Sequence, residues 1–355
     1  VFGLHHPGGS FPPYIPSYLR RASGSITSTN VDCPATGLQN GYRADWTSGI
    51  TEPGASGSGL WNSNGYLVGV LSCGPIPATC DSPDAGYSKF ANFYSQIQHY
   101  IGSATPTTKS DFNLDGKPDY VLYKPVTGQT AIWYLNNNVY IGGAVVPIPL
   151  PGGYRVIDLA DFNRDGRPDY ALFNANTRQT EIWYLSGVTL LASAGGPTPP
   201  GGWALVATGD FNNDGKPDYV LFNATTHQTV VWYLNSNAYI GGAVGPTLPG
   251  GWSVVGVADF NRDGKSDYLL FKASTRQTAI WYLSGTVRIG SALGPTPPAG
   301  WSVVGVADFN RDAKPDYLLF NPTTRQTVIW YMNNNVRIGS AVGPTLPAGW
   351  TLAAP

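Results

Sequence analysis

The chain has 355 residues, a formal net charge of -1 and only 12% charged residues. This composition argues against a nucleic-acid-binding protein, which would need a basic surface, and no apolar run reaches the length of a membrane span. Glycine (44 residues) and proline (30 residues) are abundant, and aromatic residues make up 13% of the chain. Such turn-rich and aromatic-rich sequences are typical of folds with many short strands, so we predict an all-β protein.

The first region, residues 1–103, contains a run of small residues, GASGSG, at positions 54–59. Ser56 lies in this predicted tight turn, and an apolar run follows it. The setting is typical of a nucleophilic serine, but a serine hydroxyl is a weak nucleophile unless a base removes its proton. The alternative interpretation is a Gly/Ser turn between two strands that has no chemical role.

Several motifs of the first region resemble those of chymotrypsin-fold serine proteases, in particular bacterial lysyl and glutamyl endopeptidases. They are GLHHPGG from Gly3, YRADWTSG from Tyr42, GASGSG from Gly54 and GVLSCG from Gly69. The resemblance covers residues 1 to about 102 and implies the C-terminal β-barrel of a two-barrel protease. Ala55 and Gly59 depart from the family pattern, which has an acidic or polar residue and a proline at these places.

The resemblance implies roles for individual residues. Ser56 would be the nucleophile, and the backbone N–H groups of Gly54 and Ser56 would form the oxyanion hole. Asp84 could face the substrate pocket and favour a basic residue, or it could be a solvated loop acid. Leu71 stands where the glutamyl enzymes have a histidine, which argues against that specificity.

No base for Ser56 is evident. In the family the catalytic His and Asp precede the serine, whereas His99 and His227 follow Ser56 and the pair His5 and His6 falls in the motif that opens the second barrel. We therefore expect that the N-terminal barrel, with both residues, is missing and that the chain as given is inactive.

The chain has three cysteines. A disulfide between Cys73 and Cys80 would close a short proline-containing loop, and Cys33 would then have its partner elsewhere. The alternative is three buried free thiols.

The second region, residues 104–355, is repetitive. An acidic motif of the form DFNRDGKPDY begins at Asp111, Asp161, Asp210, Asp259 and Asp308, so its spacing is 50 residues once and 49 residues three times. A tryptophan keeps the same period, and each unit contains four predicted strands, which is the content of a propeller blade. The segment GWTLAAP after the last unit resembles an opening strand that the first unit lacks. We therefore predict a β-propeller of about five four-stranded blades that this terminal strand closes. The alternative is a larger propeller that is cut short at the C-terminus.

Each acidic motif places oxygen-bearing side chains at positions one, three, five and nine of a short loop, with glycine at position six of four loops. This spacing is typical of calcium loops, in which hard oxygen ligands converge on one ion. The five loops hold 15 of the 22 acidic residues, and these would repel one another without a cation. The alternative is an Asx-type turn that only ends a strand. The predicted ligands of up to five Ca²⁺ ions are Asp111, Asn113, Asp115, Asp119, Asp161, Asn163, Asp165, Asp169, Asp210, Asn212, Asp214, Asp218, Asp259, Asn261, Asp263, Asp267, Asp308, Asn310, Asp312 and Asp316.

The fifth loop has Ala313 where the other four have glycine. If position six needs a positive φ, alanine is strained there and the fifth site is the weakest. The alternative is a loop that relaxes to negative φ.

The repeats resemble the FG-GAP or VCBS repeats of integrin α-subunits and of many secreted bacterial proteins, which implies a calcium-stabilised propeller used for adhesion or glycan binding. The chain is thus interpreted as a fragment of a secreted bacterial serine endopeptidase whose propeller binds a surface, a glycan or a protein substrate. The alternative function is a non-enzymatic adhesion or lectin-like protein. We expect a monomer without nucleic-acid partners.

Overall fold

A computed structural model describes residues 1–5, 20–33, 38–48, 58–63, 67–73, 84–91 and 109–354 of the protein. The chain divides into two compact units, Val1–Gly102 and Ser103–Pro355. All the regular elements of the described residues are β-strands, which confirms the predicted fold class. No helix in these ranges is long and apolar enough to cross a bilayer.

The first unit contains a closed barrel of six antiparallel strands. Their order around the barrel is β1-β2-β3-β6-β5-β4, and β4 pairs with β1 to close it. The strands are β1 (Phe2–His5), β2 (Arg20–Cys33), β3 (Leu38–Ser48), β4 (Gly59–Trp61), β5 (Leu67–Cys73) and β6 (Asp84–Lys89).

The barrel interior is filled by alternate residues of its strands. Along β3, Ala44 and Trp46 are buried, whereas the neighbouring Arg43 and Thr47 are exposed. This period of two is what a sheet with one covered face requires. Trp46 meets the ring of Tyr87 edge-on at 6.1 Å, so the largest interior side chains come from neighbouring strands of the barrel.

The second unit consists of five four-stranded antiparallel sheets, which we number as blades 1 to 5 in the order of their acidic loops. Blade 1 is β26-β7-β8-β9, and blades 2 to 5 are β10–β13, β14–β17, β18–β21 and β22–β25. The strands are β7 (Tyr120–Lys124), β8 (Gln129–Asn136), β9 (Val139–Val145), β10 (Tyr154–Ala160), β11 (Asp169–Asn174), β12 (Thr180–Ser186), β13 (Thr189–Gly195), β14 (Trp203–Gly209), β15 (Asp218–Asn223), β16 (Gln228–Asn235), β17 (Ala238–Thr247), β18 (Trp252–Ala258), β19 (Asp267–Lys272), β20 (Gln277–Ser284), β21 (Val287–Leu293), β22 (Ser302–Ala307), β23 (Asp316–Asn321), β24 (Gln326–Asn333), β25 (Val336–Thr345) and β26 (Thr351–Ala354).

The ring closes through strand β26. It pairs with β7 of blade 1, with Leu352 opposite Leu122, and so supplies the innermost strand that the first repeat lacks. The innermost strands β10, β14, β18, β22 and β26 contact one another in sequence around the ring. The predicted five-bladed propeller, closed by its terminal strand, is confirmed.

The strands of each blade differ in burial according to their distance from the axis. The second strand is covered on both faces, and all six residues of β11 are buried. The outermost strand is largely exposed, as in β21, where exposed and half-buried residues alternate towards its end. Neighbouring blades cover the inner strands, and this explains why those strands are apolar at nearly every position.

The acidic motif itself links adjacent blades. The Phe at position two of each loop packs edge-on against the Tyr that follows position nine in the next loop, with ring centroids 5.8 to 6.2 Å apart. The pairs are Phe112–Tyr170, Phe162–Tyr219, Phe211–Tyr268, Phe260–Tyr317 and, across the closure, Phe309–Tyr120. Each acidic loop is therefore fixed to two blades.

Candidate functional site

The five acidic loops occupy equivalent places in the propeller. In blade 2, β10 ends at Ala160 and β11 begins at Asp169, so the loop joins the innermost strand to the second strand. Blades 3, 4 and 5 repeat this arrangement. In blade 1 the loop precedes β7 and stands beside the terminal strand. The predicted ligands of each ion therefore lie in one loop.

The exposed half of each loop is organised by its own side chains. In blade 2, Asp161 accepts the backbone N–H of Asp165 at 3.0 Å and that of Gly166 at 2.7 Å. Asn163 also accepts the N–H of Asp165, at 3.0 Å, and Asp165 accepts that of Arg167 at 2.9 Å. The same bonds recur in the loop of blade 5, where Asp308 accepts the N–H of Ala313 at 2.8 Å. These oxygens therefore face the inside of a tight turn.

The carboxylate at position nine has a second role that the sequence analysis missed. Asp169 is fully buried and accepts two backbone N–H groups, one from Phe162 in its own loop at 2.9 Å and one from Leu185 in β12 at 3.0 Å. The equivalent residues Asp119, Asp218, Asp267 and Asp316 make the same pair of bonds. A signal was present in the sequence, because position nine begins an apolar strand and a carboxylate there is buried and needs partners.

Burial raises the pKa of these position-nine carboxyls. The pKa of Asp169 is raised to about 7, chiefly by desolvation, and the two backbone hydrogen bonds lower it only in part. The carboxylates of Asp161 and Asp165 raise it further. The same causes raise the pKa of Asp119, Asp218 and Asp316 to about 7 and that of Asp267 to about 6. Each loop thus gathers mutually repelling negative groups around a buried one.

Position six has a positive φ in every loop. The four glycines lie at φ 77° to 83°, and Ala313 lies at φ 62°. The alternative of a fifth loop relaxed to negative φ is therefore wrong. Residues without a Cβ adopt this region without steric cost, whereas alanine is strained there.

The acidic loops offer oxygen donors to a metal ion. The donors are carboxylate, amide and carbonyl oxygens, the ligands that calcium prefers. The carboxylates of one loop are near enough to raise each other's pKa, so a cation would relieve a repulsion that the fold imposes. In the described residues no three His, Cys, Asp or Glu side chains form a group with the arrangement of a metal site. The loop chemistry fits a hard cation, and the hydrogen bonds also fit the Asx-type turn.

Most of the predicted catalytic residues lie outside the residues that the structure describes. Ser56 and Gly54 lie outside the described residues, between the end of β3 and the start of β4. Asp84 begins β6, where its backbone stands opposite Asp45, and its side chain is not described.

Cys73 is disulfide-bonded, so the alternative of three free thiols is wrong. Its predicted partner Cys80 lies outside the described residues.

Lys109 occupies the propeller axis, just ahead of the acidic loop of blade 1. Its ammonium group donates to the carbonyl oxygen of Thr208 at 2.6 Å and lies 3.5 Å from a carboxylate oxygen of Asp158. Asp158 also accepts the N–H and the hydroxyl of Thr208. Lys109 and Asp158 line an axial cavity of only about 30 Å³. The channel at the centre of the ring is therefore almost filled.

The recurring Gln-Thr pairs serve the fold. Thr180, Thr229, Thr278 and Thr327 are buried, and each donates its hydroxyl to the carbonyl oxygen of a proline 17 residues later. These bonds tie the third strand of a blade to the segment that leads into the next blade.

The fold search gave distant likenesses. A Bacteroides caccae protein of unknown function shares 13% identity over 63% of this chain and 73% of its own, with a TM-score of 0.38. The Tc holotoxin pore of Photorhabdus luminescens shares 12% identity over 96% of this chain and 16% of its own (TM-score 0.35). The Dos1 propeller shares 10% identity over 79% of this chain and 70% of its own (TM-score 0.30). No curated protein matches the chain.

Two protein families match the sequence. The family described as "Lysyl endopeptidase, C-terminal domain" matches residues 1–94. The family described as "FG-GAP-like repeat" matches residues 111–172, 161–221, 210–270 and 259–319. These overlapping matches run from residue 111 to residue 319, which is more than half of the chain, and they follow the blades. The chain therefore belongs to the FG-GAP-like repeat family.

Proposed function

We propose that the chain contains the C-terminal barrel of a secreted chymotrypsin-fold serine endopeptidase, joined to a calcium-binding propeller that attaches the enzyme to a surface, a glycan or a protein substrate. The proposal rests on the agreement between a family match and the fold of the same residues. The lysyl endopeptidase C-terminal domain matches residues 1–94, and the described parts of these residues form a closed six-stranded barrel.

The proposed catalytic roles follow from the loop between β3 and β4. Ser56 would attack the scissile carbonyl, and the N–H groups of Gly54 and Ser56 would stabilise the oxyanion that develops. Asp84 would face the substrate pocket at the start of β6. A serine nucleophile needs a base, and no residue before Ser56 matches the family's catalytic His or Asp motif. We infer that a second barrel supplies both residues.

Calcium would have a structural role in the propeller. The oxygens at positions one, three, five and nine of each loop would hold it, together with the backbone carbonyl at position seven. When bound, the ion supplies the positive charge that offsets three nearby carboxylates. The shared Phe–Tyr contacts then connect each loop to the next blade, so that ordering one loop supports two blades.

The catalytic proposal is tested with a fluorophosphonate probe, which labels activated serines. We expect background labelling of the chain as given, and strong labelling of a longer protein in which a family N-terminal barrel, with its His and Asp, is joined ahead of it. Ser56→Ala should abolish the labelling of the longer protein. Labelling that survives Ser56→Ala would exclude Ser56 as the nucleophile, and strong labelling of the short chain would place a base within it.

A further inference from the structure

Blade 4 contains a cavity of about 260 Å³ on the face that packs towards blade 3. Its walls are mainly apolar, and Trp252, Leu270, Ala279 and Trp281 contribute to them. Arg288 and Ser291 of the outermost strand also line it. A concave apolar site with a few polar groups is the usual form of a small-ligand pocket.

A comparison of the blades explains why blade 4 contains this cavity. The residue two positions before the recurring tryptophan is Ala279 in blade 4, but it is Val230 in blade 3, Val328 in blade 5 and Glu181 in blade 2. Ala279 is opposite Leu270 on one side and Leu293 on the other. The small alanine side chain therefore leaves room on this face that a larger residue takes up in the other three blades.

Blade 2 shows which chemical group suits this place. There the carboxylate of Glu181 accepts the indole N–H of Trp183 at 3.0 Å. In blade 4 the equivalent Trp281 is 6% exposed, and its indole N–H has no acceptor among the described residues. A carboxylate brought by a ligand would restore in blade 4 the bond that Glu181 makes in blade 2.

Charge also favours an acid in blade 4. The guanidinium of Arg288 lies over the ring of Trp281, with its central carbon 4.4 Å from the ring centroid. Within the described residues no carboxylate lies within ion-pair distance of Arg288, so its donors remain available. Its counterpart Arg337 in blade 5 has a similar place over Trp330, at 4.5 Å, but donates to the hydroxyl of Ser340 at 2.7 Å. Guanidinium groups bind carboxylates through two parallel hydrogen bonds.

Blade 1 provides a second contrast. It also has an alanine at this position, Ala131, but Tyr140 takes the place of Arg288 and packs on Trp133 with ring centroids 4.8 Å apart. The combination of a small residue, an unpaired indole N–H and an unpaired guanidinium therefore belongs to blade 4.

We propose that this cavity of blade 4 binds a small ring-bearing carboxylic acid, with the ring against Trp252 and Leu270 and the carboxylate held by Arg288 and the Trp281 indole N–H. Two sources share this chemistry: a sugar acid, as at the end of an acidic glycan, and an aromatic acid. The proposal supplies a ligand class for the attachment role proposed above, and it depends on that role only for its biological purpose.

The test observes the indole N–H signals of the full chain labelled with ¹⁵N-tryptophan, after the Trp281 signal is assigned with Trp281→Phe. The probes are D-glucuronate and phenylacetate, each compared with a neutral analogue, D-glucose and phenylacetamide. We expect an acid to shift the Trp281 signal and to bind about tenfold more tightly than its neutral analogue, since one charge-assisted contact can supply the ~1.4 kcal/mol that this ratio requires. The Trp133 signal should not move.

Three variants make the result specific. Ala279→Val and Ala279→Glu copy residues that the other blades carry at this place, so both should fold and both should abolish binding. Arg288→Gln should remove the preference for the acid, whereas Arg337→Gln in blade 5 should change nothing. A shift by glucuronate alone identifies a sugar acid, and a shift by phenylacetate alone identifies an aromatic acid.

The proposal is overturned if neither acid shifts the Trp281 signal at millimolar concentration, if acid and neutral analogue bind equally, or if Ala279→Val binds like the original chain. Repeating the titration with a chelator separates this proposal from the calcium proposal, because the cavity and the acidic loops share no residue.

Discussion

The two ends of each acidic loop are held in different ways. At the exposed end, positions one to six are joined by hydrogen bonds between their own side chains and backbone, as in Asp161 to Gly166. At the buried end, position nine bonds to a strand of the blade as well as to its loop, as Asp169 does with Leu185 and Phe162. The exposed end depends on local bonds alone, whereas the buried end is part of the core.

This difference separates two functions within one ten-residue motif. The buried carboxylate positions the loop on the blade through two backbone hydrogen bonds. The exposed oxygens gain a common partner only when a cation joins them. We therefore expect ion removal to act on the exposed end, and substitution at position nine to act on the fold itself.

The largest effect should come from removing calcium. Chelation should lower the melting temperature of the propeller, and calcium should restore it, whereas sodium at equal ionic strength should not. Binding to the folded state alone adds about 2.7 kcal/mol for each site at a hundredfold excess of ion over its Kd. Differential scanning calorimetry measures this shift, and an unchanged melting curve would contradict the calcium proposal.

The next effect should come from Asp218→Ala, which removes a buried position-nine carboxylate. It leaves the N–H groups of Phe211 and Leu234 without acceptors. Each such buried group costs about 1–3 kcal/mol, so the free energy of unfolding should fall by roughly 4 kcal/mol. Urea denaturation in the presence of chelator measures it.

Asp214→Ala in the same loop is the matched control for Asp218→Ala. It removes an exposed oxygen and should cost much less without calcium. Equal losses for the two variants in chelator would show that the two ends of the loop do not differ as we describe.

The smallest effect should come from a substitution at position six of the fifth acidic loop. Ala313 is held at φ 62°, where its Cβ strains the backbone by roughly 1–2 kcal/mol. Ala313→Gly should relieve this strain but add freedom to the unfolded chain, which leaves a net gain of about 1 kcal/mol. If the strain also opposes ion binding, calcium affinity at this one site should rise about tenfold.

Gly264→Ala is the matched reverse change, since an added Cβ at Gly264 meets nothing within 4 Å. It should lose about as much stability as Ala313→Gly gains, because the backbone strain and the freedom of the unfolded chain both change in the opposite direction. Calorimetry and calcium titration of both variants make the measurement. If neither variant differs from the original chain, position six is indifferent to the residue that occupies it.

Much of the propeller could be predicted because the same sequence pattern occurs in five units. One unit gave the strands, and five units in register gave the blade number and the closing strand. What the repeats did not reveal are contacts between units. Phe162 and Tyr219 are 57 positions apart, and only the packed ring shows that they touch. The place of Lys109 in the axis has no counterpart in the other units, so no period could indicate it.

The structural differences between blades were also hard to predict, because the sequences of the five units are so similar. Ala279 looks like a conservative change from Val328, yet the space it leaves depends on residues of all four strands of the blade. In the barrel, which has no repeat, the sequence indicated the family through short motifs, and the roles of Ser56, Gly54 and Asp84 stay predictions.

The pairing of β26 with β7 has a consequence for how the protein forms. Leu352 and Leu122 lie side by side, although 230 residues separate them along the chain. During synthesis or export, blade 1 therefore remains incomplete until β26 is available to pair with β7. Closing so long a loop is slow because its entropy is lost before the contact is gained. The four later blades hold all their own strands and can assemble first, so the blade that appears earliest should be the last to become native.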